Sequence, residues 1–148
     1  MYRDDIREIH TLMMAFLGFC HEKLFVKMRK NQACCQQMSK NQFKIVNLLY
    51  RYEGLNATEI GRMLDIEKGS LTTMIDQLEA MDMVVRRADP SDRRRVLLSL
   101  SKSGMDHMEK TVEAYSAILE DLLKDVQPQQ MDRFVESLRY VVDFTEKI

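Results

Sequence analysis

Apolar residues recur every three or four positions along most of this chain and cluster in strand-like fashion only between residues 83 and 100. Ile6, Ile9, Met13, Phe16, Cys20 and Leu24, widened by Leu12, Leu17 and Phe19, predict an amphipathic helix over about 4–29. Residues 31–38 are polar and read as a connection. Ser39 with Gln42 three places on has the capping-box spacing. It predicts a helix to about residue 52 that buries Ile45, Val46 and Leu49 and stops at Gly54. Asn56 and Glu59 repeat the box ahead of a short helix burying Ile60 and Leu64. Asp65, Ile66 and Glu67 form a turn. A third helix follows over about 68–81, with Leu71, Met74, Ile75 and Leu78 on one face. Two helices joined by such a turn make a helix-turn-helix pattern.

Two apolar runs come next, Met83-Val84-Val85 and Val96-Leu97-Leu98-Ser99-Leu100. Between them lie Arg86, Arg87, Arg93, Arg94 and Arg95 around Asp89-Pro90-Ser91-Asp92. Proline fixes φ, and short polar side chains bond their own backbone, so this is turn chemistry. The segment reads as a β-hairpin with an arginine-rich tip, which calls for a polyanion. Ser101 then caps a long helix to about residue 125. Met105, Met108, Val112, Tyr115, Leu119, Leu122 and Val126 keep heptad spacing along it. Pro128 opens a last helix carrying Met131, Phe134, Val135, Leu138, Val141, Val142 and Thr145. The terminal helices hold more apolar surface than the central block can cover, and a second copy in a two-fold dimer is the simplest cover.

Composition narrows this picture. The chain has 148 residues, 45% hydrophobic and 30% charged, which fits a globular protein. Net charge is −1, so anion binding must come from local concentration of charge. No run approaches the ~20 apolar residues of a membrane span, and Met1-Tyr2-Arg3-Asp4-Asp5 does not begin a signal peptide. A cytoplasmic location is expected, with Cys20, Cys34 and Cys35 reduced. Cys20 falls on the buried stripe of the first helix and reads first as a small core residue. Cys34 and Cys35, in the connection, are better placed to react, and all three stay open to redox sensing. His10, His21 and His107 lack metal-ligand spacing, and no metal site is expected.

The central block resembles a MarR-family winged helix-turn-helix transcriptional regulator. The resemblance is carried by Asn56-Ala57-Thr58-Glu59-Ile60-Gly61, by Leu78-Glu79 through Val84 to Arg86, and above all by Asp89-Pro90-Ser91-Asp92-Arg93-Arg94. Val96, Leu98, Leu100-Ser101 and Gly104 follow that last run at the family's offsets. Three positions depart from the pattern: Glu67 replaces a capping Ser or Thr, Asp82 a common glycine, and Ser101 a threonine. The expected fold is mainly α with a small β-hairpin wing. A winged helix-turn-helix domain over 39–101 would be joined to a helical dimerisation region over 1–38 and 102–148.

Turning 100° per residue from Leu71 places Thr73 and Gln77 opposite the buried face, flanked by Gly69, Ser70 and Asp76. Such a small, hydroxylated face suits the major groove. The expected DNA-binding residues there are Lys68, Gly69, Ser70, Thr72, Thr73 and Gln77, with Lys68 and the helix N-terminus meeting phosphate. The resemblance implies a wing in the minor groove, with Arg94 inserted and Asp92 orienting it. A narrow minor groove does draw in guanidinium groups. Arg86, Arg87, Arg93 and Arg95 are expected on phosphates.

The expected function is a homodimeric regulator, most simply a repressor, of a pseudo-palindromic site in double-stranded DNA. A small-molecule effector or an oxidant would release it, and the family resemblance leaves the signal open. No cofactor is called for. The competing reading is a winged-helix module for protein–protein contacts alone. An enzyme ranks last, because no catalytic set is present.

Overall fold

The structure, a computed structural model, describes residues 2–30 and 38–148. Its elements in chain order are α1 (Tyr2–Phe19), a π-helical segment (Cys20–Phe25) and α2 (Val26–Lys30). Then come α3 (Lys40–Arg51), α4 (Ala57–Leu64), α5 (Lys68–Ala80), β1 (Val84–Ala88), β2 (Val96–Leu100), α6 (Lys102–Leu123) and α7 (Pro128–Thr145). The chain divides into two compact units, 1–115 and 116–148. That cut by compactness falls inside α6, whereas the functional division expected from the sequence falls at residue 101.

Local chemistry sets the helix starts. Ser39 Oγ accepts the Gln42 N–H at 3.2 Å, and Gln42 Oε1 accepts the Ser39 N–H at 2.8 Å. Asn56 and Glu59 repeat this reciprocal bonding at 2.9 and 2.8 Å. Glu67, at the N-cap of α5, makes no side-chain capping bond, so α5 lacks the device that opens α3 and α4. α3 ends at the Tyr52 C-cap, where it was expected to end. Gly54 turns the chain with φ +73° towards Leu55. Leu55 and Leu98 exchange backbone hydrogen bonds of 3.2 and 2.7 Å, adding a one-residue bridge to the hairpin that the sequence pattern did not disclose.

β1 and β2 pair antiparallel from Val84↔Leu100 to Ala88↔Val96. They close over a core of Ile45, Val46, Leu48 and Leu49 from α3, Ile60 from α4, and Leu71, Ile75 and Leu78 from α5. Val84, Leu98, Leu100 and Met108 complete it. Each such aliphatic side chain contributes about 1.5–3 kcal/mol when removed from water. Ser101 joins wing to α6: its Oγ accepts the Gly104 N–H at 2.9 Å and donates to the Asp82 carbonyl. A Cβ on Gly104 would lie 2.1 Å from the Met83 carbonyl oxygen, so only glycine lets α6 start this close to the hairpin. Asp82 takes a left-handed φ of 56°, and its carboxylate accepts from Ser103 Oγ at 2.6 Å. Glycine takes such a backbone without strain, and a short polar side chain tolerates it.

The N-terminal helix departs from expectation in three ways. Its stripe is not buried within the chain: Ile6, Ile9, Leu12, Met13, Phe16 and Leu17 are all exposed. Cys20 is accordingly half-buried, and it opens a π-helical stretch instead of sitting in a core. An 18-residue window within Arg3–Met28 also reaches a mean hydropathy of 1.2, long and apolar enough by length and composition to cross a membrane, where the sequence reading expected no run to come near. Glu22 and Lys23 lie within Arg3–Met28. Cys34 and Cys35 fall outside the described residues.

Candidate nucleic-acid interface

The face of α5 opposite the core is bare. Lys68, Gly69, Ser70, Thr72, Thr73, Asp76 and Gln77 are exposed, while Leu71, Ile75 and Leu78 are buried. Thr72 Oγ1 donates to the Lys68 carbonyl at 2.9 Å and Thr73 Oγ1 to the Gly69 carbonyl at 3.2 Å. Their hydroxyl hydrogens are therefore held by the helix, and each oxygen keeps lone pairs for an outside donor. Gln77 is not free-swinging: its Oε1 accepts Gln42 Nε2–H at 2.7 Å.

The wing tip is shaped by its own carboxylates. Asp89 Oδ1 accepts both the Ser91 N–H at 2.8 Å and the Ser91 hydroxyl at 2.7 Å. Those two bonds, hydroxyl first, together with the Arg95 charge, hold the Asp89 carboxyl below its ordinary range. The Asp89 N–H bonds the Arg95 carbonyl and the Arg95 N–H the Asp92 carbonyl, both at 2.9 Å, closing the loop. Asp92 Oδ1 accepts the Arg94 main-chain N–H at 3.0 Å. Its contact is thus with the backbone from which Arg94 projects, and it sets the direction of that residue through the turn. Arg87, Arg93, Arg94 and Arg95 are exposed.

Arg86 stands apart from the other arginines. Its guanidinium binds Asp76 Oδ1 at 2.6 Å and also the Glu79 carboxylate. These bonds, Asp76 foremost, raise its affinity for the proton further. A phosphate at Arg86 would have to compete with two carboxylates of α5. The guanidinium also masks two negative charges on the very helix expected to approach DNA, and it ties β1 to that helix.

An open groove of about 510 Å³ lies beside this surface, lined by Asn56, Thr58, Glu59, Arg62, Arg95 and Val96. It brings the first turn of α4 to the base of the wing. Thr58 and Arg62 were not among the expected site residues. Their i, i+4 spacing on the solvent side of α4 is the signal that marks them. Among the described residues, no three His, Cys, Asp or Glu side chains group as metal ligands.

Comparison with known proteins finds likenesses over much of the chain. The MarR family model matches residues 38–96, from the cap of α3 to the return strand of the wing. The uncharacterized HTH-type transcriptional regulator YdgJ of Bacillus subtilis is 23% identical over 104 residues, 70% of this chain and 63% of that protein. The organic hydroperoxide resistance transcriptional regulator of the same species is 27% identical over 106 residues, 72% of each chain. Among solved structures, RV1404 from Mycobacterium tuberculosis superposes with a TM-score of 0.77 at 17% identity, covering 93% of this chain and 94% of that one. This last likeness shows that the fold extends beyond the matched block.

Proposed function

We propose, from the match of residues 38–96 to the MarR family and the likeness to its winged helix-turn-helix regulators, that the chain represses transcription as a homodimer on a pseudo-palindromic DNA site. The observation that carries the reading is the wing: exposed Arg93, Arg94 and Arg95 on a loop shaped by Asp89 and Asp92, with Arg87 exposed on β1, beside a helix whose exposed face is small and hydroxylated. Exposed cations on a pre-shaped loop match a phosphate-lined groove, and α5 matches the width of the major groove.

In this reading α5 lies in the major groove with Ser70, Thr73 and Gln77 towards base edges. Lys68, Arg93 and Arg95 meet phosphate, and Arg94 enters the minor groove. Arg86 acts as a strut between wing and helix. Self-association through the exposed stripe of the N-terminal helix and the apolar positions of α7 supplies two such units, with half-sites about one helical turn apart. The alternation of that stripe with Arg3, Asp4, Asp5, Arg7 and Glu8 supports a partner helix, and a cytoplasmic location, over a bilayer. Release by a small ligand or an oxidant completes the proposal. The B. subtilis relative named for hydroperoxide resistance supports the oxidant, with Cys20 as the described thiol.

A titration of duplex DNA at low and moderate salt tests it. Affinity falls steeply with salt, and Arg94→Ala weakens binding by about 1–3 kcal/mol. No binding at low salt, or full affinity in Arg94→Ala, overturns the mechanism and leaves the wing to protein contacts.

A further inference from the structure

We propose that Gln42, a buried residue of α3 that does not face the groove, decides which bases Gln77 can read; the inference rests on the DNA-binding reading above and deepens it. The argument is one of donor and acceptor bookkeeping along a single chain of bonds. The Ser39 main-chain N–H can only donate, so the atom of Gln42 that meets it at 2.8 Å is the carbonyl oxygen Oε1. Gln42 then has only its NH2 group left for its other contact. Gln77, 2.7 Å away, must answer with its own oxygen. What Gln77 presents on the exposed side of α5 is the NH2 group, a donor. The capping box at the start of α3 thus sets, through one buried amide, the polarity that the recognition helix presents.

Burial makes the relay firm. Gln42 is 6% exposed, so turning its amide over would set oxygen against the Gln77 oxygen and NH2 against the Ser39 N–H where little water can compensate. An amide free to turn would pair with adenine through both its atoms, donating to N7 and accepting from N6. Gln77, whose oxygen is turned inward onto Gln42 Nε2, cannot aim both atoms at one base. Its free NH2 suits edges that only accept: guanine, with O6 and N7 side by side, and then thymine O4. Gln77 is therefore the specificity-determining residue and Gln42 a positioning residue acting through it.

Selection of bound duplexes from a random-sequence pool by the full chain decides the matter. Wild type enriches guanine, with thymine second, at one position of each half-site, and Gln77→Ala loses that preference by about five- to tenfold, marking the position. Gln42→Glu keeps an oxygen for the Ser39 N–H but turns the relay over. Gln77 must now donate inward and present Oε1, and the marked position shifts to cytosine or adenine. Gln42→Met leaves Gln77 unheld and flattens the preference. A merely structural Gln42 would weaken binding without exchanging one base for another. Enrichment of adenine or cytosine by wild type at the marked position overturns the inference, as does an unchanged profile in Gln77→Ala or in both Gln42 variants. Should Gln42→Glu fail to fold by circular dichroism, the wild-type, Gln77→Ala and Gln42→Met profiles decide it. A wild-type chain that retains no duplex at low salt overturns the regulator reading itself, a distinct outcome.

Discussion

Between Ile45 and Met108, twelve apolar side chains from four helices and two strands are buried in one cluster. On the stretch from residue 2 to 25, nine large apolar side chains stay exposed, Leu12 at 62% and Ile6 at 59%. Both regions carry the same helical periodicity, and nothing in their spacing distinguishes them. The difference is what lies opposite. In the winged block every apolar stripe meets another stripe of the same chain. Among the described residues the N-terminal stripe lacks such cover. Periodicity reports that a face will be buried; it does not report by whom.

The comparison can be broken first at its buried end. Leu78→Ala removes a fully buried side chain at the junction of α5 with the core and lowers unfolding free energy in urea by about 2–5 kcal/mol. A loss under about 1 kcal/mol would mean the block is not the compact half of the contrast. At the other end, Leu12→Glu should leave the helical circular dichroism of the block intact, because a surface change of this kind costs about 0.5 kcal/mol or less. If that stripe meets a second copy, sedimentation will show the dimer weakened by about tenfold or more. An undiminished dimer would place the subunit contact elsewhere.

Smaller effects sharpen the division within the wing. Arg86→Met loses an exposed, carboxylate-bound guanidinium and costs stability by about 1 kcal/mol or less. Because Arg86 is held by Asp76 and Glu79, the slope of log affinity against log salt should not change. A slope reduced by about one would return Arg86 to the phosphates. The smallest effect concerns His107, whose Nε2 is buried and unpaired. Burial first, and the Lys110 charge second, hold its pKa below the ordinary 6.5. The unfolded chain then binds this proton more readily, so stability falls as pH drops below about 6.5. His107→Gln should flatten that part of a pH series of thermal midpoints. An unchanged slope would assign the pH dependence to other groups.

Much of the fold was legible because its signals are local. Both capping boxes span four residues, the Asx turns of the wing span three, and Pro128 marks the start of α7 by itself. The exposed face of α5 followed from helical geometry once Leu71 was taken as buried. The interface was less legible wherever two elements meet. Arg86 looked like one more wing cation until its partners seven and ten residues earlier were in view. The role of Asp92 was foreseen as orientation of Arg94, and the bond it makes is with that residue's backbone. Thr58 and Arg62 became site residues only when α4 was seen beside Arg95.

By itself the sequence determined the order of the helices, the capped starts of α3 and α4, the turn of the wing and the likeness to a family. Each of these depends on residues within a few positions of one another, whose φ, ψ and capping energetics act before any long-range contact forms. Tertiary structure alone decided which stripe is core and which is left uncovered, why residue 104 must be glycine, and that Gln77 faces outward with its amide nitrogen. Those outcomes depend on side chains brought together from 21 to 35 positions apart, and no local propensity encodes which hydrogen-bonding atom or apolar face a distant partner will occupy.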